Sequence, residues 1–362
     1  MINLKKITFI ITLLVFILPF PIKAIDLSAT SAILMDIDSG RILYAKDVHK
    51  VRSVASISKI MTALLAVESG KLEDKVTIGN EIEESHGSGI YIKQGEILTL
   101  KDLLYGLMLR SGNDASYAIA KYVGGEVDQF VEMMNQKAQE IGMKNTIFRN
   151  PNGLDEVDGN FSTAYDMAIL TKEAMKYEDY KKIVHTKKYN LKTNKNVYSW
   201  INKHRLVKNY KYATGGKTGY TLKARRTLVT TASKNNLNLV VVTLNDGNDF
   251  KDHQDLFEYA FSNFNSYEIL KKGNIDIVDD NYYDKYNFYI KNSFRYPLSE
   301  NEKNSVIVKF ELEKSRKINN NQQVGIAKIY LGDDLIHEEK IYVTKKQVKK
   351  SLFTKIKEWL NG

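Results

Sequence analysis

Between residues 56 and 68 the apolar positions Ile57, Ile60, Met61, Leu64, Leu65 and Val67 fall at helical spacing, dense enough to predict a largely buried helix. Residues 237–244 form an apolar run of strand length, and from 29 to 264 such runs alternate with helical segments. That alternation predicts a sheet flanked by helices. Beyond Tyr267 the pattern changes to short alternating runs at 275–278, 286–290, 306–312, 325–331 and 338–343, with Gly332-Asp333-Asp334 as a turn between the last two. A small all-β domain joined by hairpins is expected there.

The two ends read differently. Lys5 and Lys6 precede an apolar stretch over 7–20, followed by Pro21 and the small residue Ala24, the layout of a cleavable secretory leader. Ile22 makes the cleavage site imperfect, so an uncleaved anchor is the alternative. At the other end Val348, Leu352, Phe353, Ile356, Trp359 and Leu360 follow helical spacing among Lys345, Lys346, Lys349, Lys350, Lys355 and Lys357. A basic amphipathic helix lying on a membrane surface fits this pattern, with docking on the β domain or on another protein as the alternative. The expected organisation is thus a leader at 1–24, a mixed α+β (α/β) domain at 25–265, a β-rich domain at 266–344 and an amphipathic helix at 345–362.

Composition narrows the setting. The chain has 362 residues, a formal net charge of +10 and no cysteine, so it needs no oxidative folding and has no thiolate metal site. Six histidines without an H-x-x-x-H cluster give no reason to expect a metal, and no cofactor is implied. The positive charge suits anionic lipids and wall polymers. Export argues against nucleic acid, and no recognition motif for it is visible. The expected location is the extracytoplasmic face of the cytoplasmic membrane.

Three short strings carry the chemistry: Ser56-Ile57-Ser58-Lys59, Ser111-Gly112-Asn113 and Lys217-Thr218-Gly219. Residues three apart on a helix share a face, so Ser56 and Lys59 point into one space. A serine hydroxyl needs a neighbour that takes its proton before it can attack an acyl carbon. Lys59 serves as that base only if burial and nearby cations lower its pKa. Lys217, opening a strand-like run, offers such a charge, Thr218 offers a hydroxyl for a substrate carboxylate, and Gly219 leaves room for a substrate backbone. Ser111 can relay a proton and Asn113 can hold a substrate amide. Each string alone is common, and Ser56 could simply cap a helix; their ordered co-occurrence points to one site.

With these strings and their flanks, notably residues 32–44, 104–115 and 150–155, the chain resembles the penicillin-recognising active-site-serine enzymes. It is most similar to the low-molecular-mass D-alanyl-D-alanine carboxypeptidases. The resemblance implies a serine transpeptidase/β-lactamase-like fold with Ser56 acylated, Lys59 as general base, and Ser111 and Lys217 completing the proton and charge network. It implies that Asn113 holds the peptide bond, that the amides of Ser56 and Tyr220 form an oxyanion hole, and that Thr218 meets the terminal carboxylate. Some relatives place an arginine on that carboxylate where this chain has His253. Arg225 and Arg226, also a departure, are expected to be solvated strand-end charges, with help in binding acidic substrate as the alternative. The expected partners are stem peptides of peptidoglycan ending in D-Ala-D-Ala, and β-lactams as inhibitors. A β-lactamase, for which Glu156 to Asn160 supplies a tempting E-x-x-x-N string, and a catalytically silent wall-binding scaffold are the rival readings. Endopeptidase action on existing cross-links is a further possibility.

Overall fold

The computed structural model describes residues 25–155, 159–277, 282–314 and 317–346. The leader, Glu156 and the terminal amphipathic segment beyond Lys346 lie outside the described residues.

The first unit is built on an antiparallel sheet of β1 (Ser31–Asp36), β2 (Ile42–Lys46), β9 (Ala213–Thr221), β10 (Arg225–Lys234) and β11 (Leu237–Leu244), in the order β2-β1-β11-β10-β9. Its central strands are apolar on both faces because both faces are covered. Ile33, Met35, Val240 and Val242 enter one core, while Ala32, Leu34, Leu239 and Val241 enter a second on the other side. Helix α1 (Lys59–Glu68) runs through the larger core with every residue from Lys59 to Val67 buried. An apolar pattern without a clear polar face has this outcome. The helices α2 (Leu100–Tyr105), α3 (Asn113–Gly124), α4 (Val127–Glu140), α5 (Ala164–Ala174) and α6 (Glu178–His185) surround it. The short α7 (Arg205–Asn209) leads into β9, and α8 (Asp249–Asn263) covers the other face through Leu256, Phe257 and Ala260. Small two-stranded pairs complete the unit: β3 (Arg52–Ser53) with β6 (Phe161–Ser162), β4 (Lys75–Thr77) with β5 (Ile97–Thr99), and β7 (Lys188–Lys192) with β8 (Val197–Ile201).

A second, all-β unit begins with β12 (Asn265–Leu270), which pairs with β15 (Phe294–Leu298). The strands β13 (Gly273–Ile275), β14 (Tyr286–Ile290), β16 (Val306–Leu312), β17 (Gln323–Leu331) and β18 (Asp334–Lys345) form a sheet in the order β13-β14-β18-β17-β16. Phe288, Ile290, Ala327, Ile329, Ile341 and Val343 supply its core. Of the expected run at 275–278, Ile275 lies in a strand and Asp276 and Ile277 do not, while Val278 lies outside the described residues. The strands at β12 and β15 were not expected. Residues 294–298 do alternate, but Pro297 cannot donate to a ladder and demotes the run, and Asn265, Ser266 and Glu268 leave the first run largely polar; pairing with each other makes both of them strands. Arg41 ties the two units together, pairing with Glu302 and Pro297 O while its guanidinium lies over the rings of Phe264 and Tyr296 at 5.6 and 5.1 Å.

Candidate active site

Ser56 lies on a tight turn of 3-10 helix (Ala55–Ser58) that runs into α1, one turn short of the α-helix expected to begin with it. Ala55 before it has a φ of 50°, a left-handed conformation that costs a non-glycine residue roughly 1–2 kcal/mol. The i, i+3 relation survives. Lys59 Nζ donates to Ser56 Oγ at 3.0 Å, to Asn113 Oδ1 at 2.7 Å and to the Asn152 carbonyl. Those partners fix a long, flexible amine against the nucleophile.

Ser111 is also left-handed, at φ 65°, where an irregular helical turn over Gly106–Arg110 ends, and Asn113 then opens α3. Its Oγ accepts from Lys217 Nζ at 3.0 Å. Lys217 sits mid-strand in β9, not at its start, and is 1% exposed. The Asn113 side-chain amide donates to His86 O, and its backbone N–H donates to Ser88 O at 2.7 Å. An amide nitrogen has two hydrogens, so one donor remains for a ligand. Gly219 comes close to the nucleophile: a Cβ there would stand 3.0 Å from the Ser56 amide nitrogen and 2.4 Å from Thr227 Oγ1. Ser56, Ser111, Thr218, Gly219 and Tyr220 line one cleft of about 260 Å³, while Lys59, Lys217 and Asn113 are buried behind them.

Burial, reinforced by Lys217 and Lys203, holds the Lys59 pKa well below its ordinary value, against a weaker pull from Asp114. Lys217 is lowered to about 7, again by burial and then by Lys203. Two amines packed close together without a carboxylate bonded to either disfavour each other's charge, the condition that turns a lysine into a base.

His253 does not reach the cleft, a correction to the expectation that it faces substrate. It lies on α8, fully buried against the sheet, with Nδ1 2.8 Å from Thr230 Oγ1 and Nε2 3.0 Å from Thr243 Oγ1. Burial lowers its pKa well below the usual value, so it is neutral packing within a network that also takes in His204. Arg225 is exposed as expected. Arg226 is not merely solvated: it pairs with the buried Asp249 and lines the cleft.

Sequence reasoning singled out no site residue in the loop at 150–155, yet this loop braces the nucleophile. The Asn152 carbonyl holds Lys59, and the Pro151 carbonyl accepts from Thr62 Oγ1 at 2.7 Å. Asp155 accepts from Ser53 Oγ at 2.5 Å and Thr221 Oγ1 at 2.8 Å, joining the end of β3, just before the nucleophile turn, to the end of β9. Asp114 gathers the amides of Ile90, Tyr91 and Ile92, shaping the segment whose carbonyls hold Asn113. Backbone acceptors leave no signature in side-chain identity; Gly153, at φ 86°, was the visible sign. Asn160, the end of the E-x-x-x-N string, accepts from the amides of Arg149 and Asn150 and is 0% exposed, which makes it part of the loop's frame.

The fold and this constellation are those of the penicillin-recognising, active-site-serine class. Residues 20–248 match the family described as D-alanyl-D-alanine carboxypeptidase, and 264–350 match the penicillin-binding protein 5 C-terminal domain. The chain belongs to the D-alanyl-D-alanine carboxypeptidase family. It is 38% identical over 253 residues to D-alanyl-D-alanine carboxypeptidase DacF of Bacillus subtilis (strain 168), spanning 67% of this chain and 65% of that relative. It is 28% identical over 370 residues to D-alanyl-D-alanine carboxypeptidase DacD of Escherichia coli (strain K12), spanning 95% and 93%. Among solved structures, penicillin binding protein 5 from Haemophilus influenzae superposes with a TM-score of 0.75 at 27% identity, covering 91% of this chain and 99% of that one.

Proposed function

We propose that the chain is a serine-type D-Ala-D-Ala carboxypeptidase that removes the terminal D-alanine from stem pentapeptides of peptidoglycan, and that β-lactams acylate it. The observation that carries this reading is the Ser56 hydroxyl 3.0 Å from a buried Lys59 amine of lowered basicity. Ser56 Oγ attacks the penultimate D-alanine carbonyl as Lys59 takes its proton. The oxyanion forms where Ser56 faces Gly219 and Tyr220, with backbone amides as the stabilising donors. The peptide C–N bond then breaks, and Ser111, hydrogen-bonded to Lys217, relays a proton to the departing amine. Water attacks the ester, frees the tetrapeptide and returns the proton to Ser56. The product lacks the bond that a transpeptidase would use, so cross-linking is limited.

The leader pattern at 1–24 and the basic amphipathic pattern at 345–362 support export and attachment to the outer surface of the cytoplasmic membrane.

Intact mass measured at intervals after a pulse of benzylpenicillin, with Ser56→Ala as control, tests the mechanism, followed by assay of D-alanine release from a D-Ala-D-Ala peptide. A long-lived, Ser56-dependent adduct with D-alanine release is expected. Rapid catalytic loss of the drug would turn the reading to a β-lactamase, and no adduct with surviving drug would turn it to a silent scaffold.

A further inference from the structure

We infer that the outer face of the β-unit sheet binds a linear wall polymer whose negative charges are phosphodiesters along a flexible polyol chain. The inference is independent of the chemistry at Ser56. Side chains alternate between the two faces of a strand. Phe288 and Ile290 of β14, Ile341 and Val343 of β18, and Ala327 and Ile329 of β17 fill the core of this unit. Tyr289, Lys340, Tyr342, Lys328 and Tyr330 therefore stand on the opposite face. Leu270 of β12 and Phe294 of β15 pack into the same core, and on the other side Lys291, Lys309 and Lys340 are exposed.

The register sets cations in a band across that face. Lys328 lies opposite Glu338 on one side and Lys309 on the other, and Lys340 lies opposite Ile326. Lys291 follows Ile290, whose partner is Ile341, and so comes level with Lys340. Four lysines thus cross from β14 to β16 in two rows, with strands about 4.8 Å apart and rows about 7 Å apart. Like charges directly opposite repel, and Glu311 relieves only Lys328, at 2.7 Å. Glu311 and Glu338 leave the band with net positive charge.

Among the described residues Lys291, Lys309 and Lys340 have no carboxylate partner. Two of them are instead held by rings: Lys291 Nζ lies 3.7 Å from the Tyr342 centroid and Lys309 Nζ 4.9 Å from that of Tyr330. Tyr289 packs beside Tyr342, with centroids 5.5 Å apart. A ring face holds an ammonium without neutralising it, so these amines are ordered and still open to an anion. Lys121, Lys176 and Lys251 on the helices of the first unit are each closed on a carboxylate.

An ammonium acts as a point charge and lacks the planar fork of arginine, which suits anions whose orientation changes along a flexible chain. A membrane surface, the competing occupant, is bound by apolar side chains that enter the headgroup boundary. Here the ring faces of Tyr330 and Tyr342 carry amines instead.

The test titrates the full chain with synthetic poly(glycerol phosphate) at several salt concentrations. Wild type is compared with a Lys291→Gln/Lys309→Gln/Lys340→Gln variant, a charge-matched Lys121→Gln/Lys176→Gln/Lys251→Gln variant, Tyr342→Leu and Tyr342→Phe. Removing the three band lysines should weaken binding about 10- to 100-fold at low salt and flatten the slope of log K against log salt by about 2, the effect of three lost phosphate contacts. The charge-matched variant should stay within about threefold of wild type. Tyr342→Leu should lose part of the affinity by releasing Lys291, and Tyr342→Phe should keep it. Phosphatidylglycerol vesicles and poly-L-glutamate run alongside, and the band variant should bind both about as wild type does. No binding by wild type, or equal losses in the two triple variants, overturns the proposal. A band variant that loses the vesicles and keeps the polymer makes the face a membrane contact, and an equal loss on poly-L-glutamate makes it a general polyanion patch; either overturns the assignment. Melting curves and benzylpenicillin acylation should match wild type throughout. If the band variant fails to fold, Lys309→Gln alone decides, with a slope expected to flatten by about 0.7 and an unchanged slope overturning the proposal.

Discussion

Gly153 offers the cleanest test of the claim that the loop at 150–155 sets the nucleophile. A Cβ at this position would lie 2.0 Å from Ala55 O and 2.5 Å from Ser58 Oγ, and the backbone is left-handed at φ 86°. Two costs follow from Gly153→Ala. The left-handed conformation costs about 1 kcal/mol, after allowing for the smaller entropy of the unfolded alanine chain. The overlap is with a backbone carbonyl that cannot swing aside, and overpacking of that kind adds about 1–3 kcal/mol. Gly142 supplies the control, since it has a φ of 84° with nothing within 4 Å of its Cβ. Gly142→Ala should therefore lower Tm by roughly 2–4 °C, and Gly153→Ala by roughly 4–15 °C, for a domain of this size. Relief of the overlap must move Ala55, the residue before Ser56. Acylation by benzylpenicillin should fall by about 100-fold in Gly153→Ala, the scale expected of a 1 Å misplacement, and stay near wild type in Gly142→Ala. Calorimetry and stopped-flow acylation measure the two effects. Equal Tm losses in the two variants, or acylation unchanged in Gly153→Ala, would refute the reasoning.

Two further outcomes follow from the buried groups. Because Lys217 is lowered to about 7 in the free chain, it is mostly neutral at pH 8, and a carboxylate bound beside it raises its pKa; Ser56→Ala should thus take up protons on binding a D-Ala-D-Ala peptide at that pH. Calorimetric titration in two buffers of different ionisation enthalpy reads the number, and zero uptake or release counts against the charge network. His253→Ala should destabilise the fold by about 2–4 kcal/mol, by removing a buried ring and leaving the Thr243 hydroxyl without its partner, Thr230 keeping His204, while KM for the peptide stays within about twofold; a raised KM at unchanged Tm would return His253 to the cleft.

The sequence by itself determined what is local. The spacing of Ser56 and Lys59 is an i, i+3 relation, and it held even though the turn is 3-10. The run at 237–244 declared a strand covered on both faces, and the alternation after Tyr267 declared the β unit. Strands β12 and β15 escaped because Pro297 demotes an otherwise alternating run and the polar start of β12 shows no partner until the two pair.

Only the tertiary structure decided which groups meet. Ser111 and Lys217 are 106 positions apart, and the geometry that brings them within a hydrogen bond belongs to the packing of β9 against the turn before α3. His253 and Arg226 make the point most sharply. Whether a polar residue looks into a cleft or into a core depends on how α8 is rotated on the sheet and on the register of β10, quantities set by long-range contacts. The chemistry of a histidine or an arginine is legible in the chain, and the dielectric and the partners that decide its use are supplied only by the fold.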